Sequence, residues 1–160
     1  QRQQMWVLGV VFLAIAGDGT ERRSLETMAS ELGISARLRF VGELDDIRAL
    51  LAAGNAFALA SRNEGMGRVF VEAMAAELPV IGTTVGGIPT LVKNDVTGLL
   101  VPPDMPQAMA QAMVRIAGDQ ELRLMLGQQS AAAVYPEYDE DTMIEKLARL
   151  YGEVLEETRK

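Results

Sequence analysis

Glu64 and Glu72 are the side chains whose type and spacing suggest chemistry, with seven residues between them. An ionised carboxylate is an acceptor-only group, so each suits a pair of sugar hydroxyls. Between them runs Gly65-Met66-Gly67-Arg68. Glycine tolerates positive φ and close backbone approach, so this loop can turn its N–H groups towards a ligand. The spacing predicts a helix over 69–76. Phe70, Ala73, Met74 and Glu77 fall on one turn-spaced set, and Val69, Glu72 and Ala76 on another. The start of that helix offers unpaired N–H groups and the positive end of the dipole, where a phosphate fits. The stretch therefore suits two polyol groups, one at Glu64 and one at Glu72, with a diphosphate between them.

Composition narrows the rest. The 160 residues include no cysteine and no histidine. Disulfides, a thiol nucleophile and a zinc–thiolate site are excluded, and the commonest general base is missing. Catalysis would fall to carboxylates, lysine, arginine, backbone dipoles or the substrate. A net charge of −7 and 5% aromatic residues argue against a nucleic-acid partner. The length is that of one domain, 1–160.

The elements that must position the two acids alternate in type. Met5–Ala16 is an apolar run, too short for a membrane span. Arg2 ahead of it and Ala14-Ile15-Ala16 at its end also fit a signal peptide, but a buried strand is the preferred reading. Gly17-Asp18-Gly19 follows, then a helix over 21–32 with Leu25, Met28, Ala29 and Leu32 inward and Gly33 as its stop. A dinucleotide fingerprint fails, because Arg22 stands where the third glycine belongs. Arg37–Val41 reads as a strand ending at Gly42. Asp45 or Asp46 then caps a helix to Ala53, with Ile47, Leu50 and Leu51 inward and Gly54 at its end. Those adjacent acids read as helix-dipole partners, not as a metal pair.

Ala56–Ala60, Pro79–Thr83 and Leu99–Val101 read as further short strands. Gly86-Gly87-Ile88-Pro89 reads as a flexible turn. Asp104 is expected to cap a helix to Ala117 with Ala108, Met109, Ala112, Met113 and Ile116 on one face. Those methionines read as core filler. A helix over 121–130 follows, then a break at Tyr135-Pro136. A last helix over 142–157 places Ile144, Leu147, Tyr151 and Val154 on one face. Asp139-Glu140-Asp141 opens that helix, where acids match the dipole better than they suit a metal. The pattern is α/β: a Rossmann-like three-layer sandwich on a parallel sheet, with ligands at the carboxyl ends of the strands.

EGMGRVFVEAMAAELPVIGTTVGGIP, from Glu64 to Pro89, resembles the signature of the group 1 glycosyltransferases. These are retaining enzymes of the GT-B fold that use nucleotide-diphosphate sugars. The resemblance extends from about Val11 to Glu157 and implies the carboxyl-terminal, donor-binding half of that fold. It implies that Glu64 contacts the donor sugar and is the catalytic residue of the site, orienting the sugar through its hydroxyls. The backbone of Gly65, Met66, Gly67 and Arg68 would contact sugar and phosphate, and Glu72 the ribose. Val41 and Gly42 would cradle the base, with Gly17 near the donor. It implies no cofactor and no metal, a UDP-, GDP- or ADP-sugar as partner, and a glycan or lipid acceptor held by an amino-terminal domain. The first strand segment, with an Arg and a Lys for the diphosphate, is expected to be missing, so the isolated chain should transfer sugar poorly or not at all. A cytoplasmic location, or the cytoplasmic face of a membrane, fits such an enzyme. Self-association through the last helix is a further expectation.

Two positions depart from the family pattern. Thr90 stands where an acid is usual, and Glu77 where glycine is usual; Glu77 should strain or shift the helix exit. Two other readings remain. One is a non-catalytic nucleotide-sugar-binding or interaction module. The other is a phosphorylase, disfavoured because Lys93, Lys146 and Lys160 suit no pyridoxal site, or a sugar-nucleotide epimerase, disfavoured because a chain without histidine supplies acid–base side chains poorly.

Overall fold

A computed structural model describes residues 11–157. The chain divides into two compact units, the first ending at Leu50 and the second beginning at Leu51.

In the first unit, strand β1 (Leu13–Ala16) pairs in parallel with β2 (Leu38–Gly42). Helix α1 (Arg22–Glu31) joins them. Gly33 ends α1 as expected: at φ +68 it donates to Ser30 O, while Ile34 N reaches back to Ala29 O at 2.9 Å. That pair of bonds is the Schellman closure of a helix. The inward face expected of α1 is only partly realised. Ala29 is buried, whereas Leu25, Met28 and Leu32 are exposed. Two strands and one helix make too small a core to cover a whole amphipathic face. For the same reason β1 is not a buried strand, and Leu13 is exposed. The part of the apolar run before Val11 lies outside the described residues.

Helix α2 (Arg48–Ala53) is shorter than expected. Asp46 sets its start by accepting the Arg48 amide at 2.9 Å, and Gly54 closes it on Leu51 O. Leu51 is buried and Leu50 half-buried in it, and Ile47 is half-buried just ahead of it.

The second unit holds three parallel strands in the order β3-β4-β5. These are β3 (Phe57–Leu59), β4 (Val80–Thr83) and β5 (Gly98–Val101). β4 is central and buried at all four positions, which accounts for its unbroken apolar run. Strand alternation sends its residues to two faces. On one face, Gly82 meets Phe70 of helix α3 (Arg68–Ala75). Phe70 of α3 packs edge-on against Phe57, with ring centroids 5.3 Å apart. On the other face, Ile81 clusters with Leu99 and Val101, with Ala112 and Ile116 of helix α5 (Pro106–Gly118), and with Leu126 of helix α6 (Gln120–Val134). Helix α4 (Ile88–Leu91) stands where only a turn is expected. Helix α5 covers Pro106–Gly118, α6 Gln120–Val134 and α7 Glu140–Glu157.

Three helix ends differ from expectation. Asp104 does not cap α5. It sits at φ +56 and pairs with Arg62, while Met105 takes the cap position and Pro106 opens the helix. Helix α6 starts earlier than 121, because Asp119 caps it by accepting the Leu122 amide, and it runs on to Val134. Glu140 and Asp141 occupy the first turn of α7. Ile144, Leu147 and Tyr151 of α7 are exposed. Among the described residues, no helix is long and apolar enough to cross a membrane.

Glu77 strains the exit of α3, as the departure from glycine implies. It lies at φ +58, donates to Met74 O, and is followed by Leu78 N bonding Ala73 O at 3.1 Å. Glu77→Gly is expected to raise unfolding stability by about 0.5–1 kcal/mol, the left-handed penalty relieved less the added unfolded-state entropy; urea denaturation measures it. The Asp46 carboxyl is held at about 2 by hydrogen bonds from the Arg48 side chain and amide, below the ordinary 3.8. A depressed folded pKa stabilises above pH 3.8 and is lost as the pH falls through about 2. Carbon NMR titration of Asp46 should show that midpoint, and Arg48→Ala should move it back towards 3.8.

Candidate donor site

The site grows out of the carboxyl end of β3. The strand stops at Leu59, and Ser61 to Gly67 form the loop into α3. Gly67 is the N-cap of α3 at φ +75, and its carbonyl accepts the Phe70 amide at 2.8 Å. A Cβ on Gly67 would lie 2.9 Å from the Phe70 ring. The chain therefore turns into α3 only because this position has no side chain. Helix geometry leaves the amides of Arg68 and Val69 without an intrahelical acceptor. The loop Gly65–Arg68 thus leads directly into the first turn of α3, where these two amides lie.

Glu64 is half-buried, and its Oε2 accepts the Ser61 hydroxyl at 3.2 Å. Glu72 lies in the second turn of α3 and is exposed. Gly65, Met66 and Arg68 are exposed as well, so the loop faces solvent. Glu64 and Glu72 are therefore both presented from one loop–helix unit.

Gly86 and Gly87 are more than the flexible turn expected. The Gly87 amide donates to Gly65 O at 2.8 Å. A Cβ on Gly86 would fall 1.7 Å from Glu64 O, and one on Gly87 2.4 Å from Gly65 O. Gly86 also has φ +50. The turn after β4 is thus pressed onto the backbone of the Glu64 loop. Thr90 donates its hydroxyl to Gly87 O at 2.6 Å and so closes the first turn of α4.

Two further anchors escaped the sequence reading. Thr83, buried at the end of β4, donates its hydroxyl to Ser61 O at 2.6 Å. Arg62 pairs with Asp104 at 2.6 Å, and its guanidinium pKa is raised by that hydrogen bond. Nothing in spacing marks such polar partners; only the hydroxyl at the end of an apolar strand hinted at Thr83. An open groove of about 950 Å³ runs beside Ser61 and Thr83, with Met105, Met109 and Met113 of the α5 region along it.

In the first unit, the strand ends carry the other predicted residues. Gly17 N donates to Gly42 O at 2.7 Å, so these two are brought together. Both have positive φ, +104 and +73. Val41 points outward, opposite to Phe40. Arg22, which breaks the dinucleotide pattern, pairs with Asp18 and Glu26 and lies over the Phe40 ring at 5.7 Å. Asp18 is held below the usual carboxylate range, first by the Gly19 amide and then by Arg22. Among the described residues, no group of three or more acidic, His or Cys side chains could hold a metal ion.

Known proteins resemble this arrangement. A family model described as "Glycosyl transferases group 1" matches residues 7–133. The N-acetyl-alpha-D-glucosaminyl L-malate synthase of Bacillus anthracis is 31% identical over 147 residues, covering 92% of this chain and 39% of that protein. The crystal structure of Anabaena HepE in complex with UDP superposes with a TM-score of 0.84 at 28% identity, over 89% of this chain and 41% of HepE. The same protein has also been solved with UDP-glucose. The C-terminal domain of a group 1 glycosyl transferase (LpcC) from Francisella tularensis matches at TM-score 0.70 and 29% identity, over 74% of this chain and 63% of that one. The chain spans between 30% and 41% of the length of the first curated relatives it matches.

Gly86→Ala should test the contact between the two loops. Positive φ and the overlap with Glu64 O together should cost about 2–4 kcal/mol of stability or force the Glu64 loop to shift. Denaturant unfolding and amide shifts at 61–68 would register one or the other; an unchanged midpoint with unchanged shifts would contradict the contact.

Proposed function

The chain belongs to the group 1 glycosyl transferase family, and from that premise we propose that it is the donor-binding domain of a retaining enzyme. That enzyme moves a sugar from a nucleotide-diphosphate sugar to an acceptor. The observation that supports this most is the β3–loop–α3 unit. It offers Glu64, the Gly65–Arg68 backbone and Glu72 together at the carboxyl end of a parallel strand.

In this reading Glu64 orients the donor sugar through its hydroxyls. The amides of the Gly65–Arg68 turn and the dipole of α3 stabilise the departing diphosphate. Glu72 binds the ribose hydroxyls. For the first unit, the proposal assigns base recognition to the backbone at Val41 and Gly42, with Gly17 beside it. The bond from the anomeric carbon to the diphosphate oxygen breaks, and the acceptor oxygen attacks the same face of the sugar. The acceptor proton leaves with the diphosphate. The nucleotide sugar is the substrate, and no cofactor is invoked. The acceptor, a glycan or lipid, belongs to another domain of the whole enzyme, and the isolated chain transfers sugar poorly. The proposed compartment is the cytoplasm. A uridine donor has the most direct support, since HepE was solved with UDP and UDP-glucose.

The test is a titration with UDP, GDP, ADP and their glucose conjugates, followed by amide chemical shifts. One nucleotide should shift resonances at Glu64–Glu72. Glu72→Ala should weaken that nucleotide at least tenfold, the loss of about 1.5–3 kcal/mol expected for hydrogen bonds to a charged group. Absence of any shift at millimolar ligand would refute the donor-site reading.

A further inference from the structure

We infer that Thr83 and Ser61 are positioning residues for Glu64, forming a two-step hydrogen-bond relay from the central strand to the loop carboxylate. The inference rests on the reading of Glu64 as the residue that faces the donor sugar.

The relay begins inside the sheet. Thr83 is the last residue of β4, and it is 3% exposed. A buried hydroxyl is costly unless it is hydrogen-bonded. Thr83 Oγ1 meets that demand at Ser61 O, 2.6 Å away. A carbonyl only accepts, so the threonine donates. One residue thus ties the rigid centre of the sheet to the first residue of the loop. Ser61 then turns its own hydroxyl to Glu64 Oε2 at 3.2 Å. An ionised carboxylate only accepts, so here the serine donates. The backbone of the same loop is fixed on the far side of Glu64 as well, by the Gly87 amide on Gly65 O.

Glu64 is therefore bracketed. Its backbone is pinned before and after, and its carboxylate is held by the residue that Thr83 anchors. A glutamate side chain loses considerable rotamer freedom when it is fixed. A carboxylate held in place before the sugar arrives loses less on binding, which is how preorganisation raises affinity and rate. The groove beside Ser61 and Thr83 is lined by the apolar Met105, Met109 and Met113 and by the charged Arg62 and Asp104, which pair with each other at 2.6 Å. The other charged group on the loop, Arg62, is directed to Asp104.

The test compares Ser61→Ala, Thr83→Val and Thr83→Ser with the parent chain. Two readouts apply. The first is the rotamer averaging of Glu64 without ligand, from side-chain couplings and carbon relaxation. The second is the ratio of affinities for UDP-glucose and UDP. Ser61→Ala and Thr83→Val should release Glu64 into several rotamers and reduce the preference for UDP-glucose about fivefold, the size of one hydrogen bond, with UDP affinity unchanged. Thr83→Ser keeps the hydroxyl and should restore both. A single Glu64 rotamer and an unchanged ratio in Ser61→Ala would overturn the relay, and this half-buried site carries little risk of unfolding even if Thr83→Val is unstable. A chain that binds neither ligand would refute the donor-site reading, while the Glu64 rotamer would still decide the relay.

Discussion

Two backbones meet without side chains between them at Gly86-Gly87 and Glu64-Gly65, and the donor loop depends on that approach. A Cβ on either glycine would overlap a carbonyl oxygen of the opposite loop. The turn after β4 therefore acts as a stop for the loop after β3. Neither can shift alone, because the Gly87 amide is bonded to Gly65 O. Since β3 and β4 are paired in register, Phe57 to Val80 and Leu59 to Gly82, their carboxyl ends arrive side by side with no slack. Sheet register, two glycines and one hydrogen bond together define where Glu64 can be.

The same economy holds at the other end of α3. The helix leaves the site and exits through Glu77 in a left-handed conformation. A Cβ on Gly127 of α6 would lie 2.1 Å from Glu77 O. That carbonyl is thus packed against a helix that can approach only because it presents glycine. Below the helix, Gly82 leaves room for the Phe70 ring and for Ile88, at 2.9 and 2.8 Å from where its Cβ would be. Helix α3 is located by close approaches at its start, its middle and its exit. A helix of eight residues has little intrinsic stability, so its position is a property of these contacts and of the buried Phe70, Ala73 and Met74.

Much of this was legible in the sequence because it is local. The run from Ala56 to Ile81 shows a strand, a glycine loop, a helix and a strand through spacing alone. Gly33 and Glu77 could be assigned to helix exits because the Schellman closure demands positive φ at one fixed place. What could not be read is long-range. Thr83 and Ser61 are 22 residues apart, and no pattern links a strand-end hydroxyl to a loop carbonyl. Asp104 looked like a cap, but Pro106 sets the helix start and Arg62 competes for the carboxylate across 42 residues. The glycines at 86 and 87 suggested flexibility, whereas they mark close approach. Periodicity also overstated burial in α1, where Leu25 and Met28 have the right spacing but too little core to enter.

A site with no histidine and no cysteine near it must work through placement of charge and dipoles. In the proposed reading, backbone amides and a helix end meet what every nucleotide-diphosphate donor shares, the diphosphate, whatever side chains line the rest. That part of the site is written in glycines and is easy to read. In that reading the sugar and the base would be distinguished by a few hydroxyl contacts and by backbone shape at strand ends, which spacing does not encode. This is why the chain announces its class of chemistry more clearly than its substrate. It also gives Glu64 particular weight: among the residues of the loop it is the half-buried acid, its carboxylate accepts the Ser61 hydroxyl, and its remaining acceptor positions suit a group that donates hydrogen bonds.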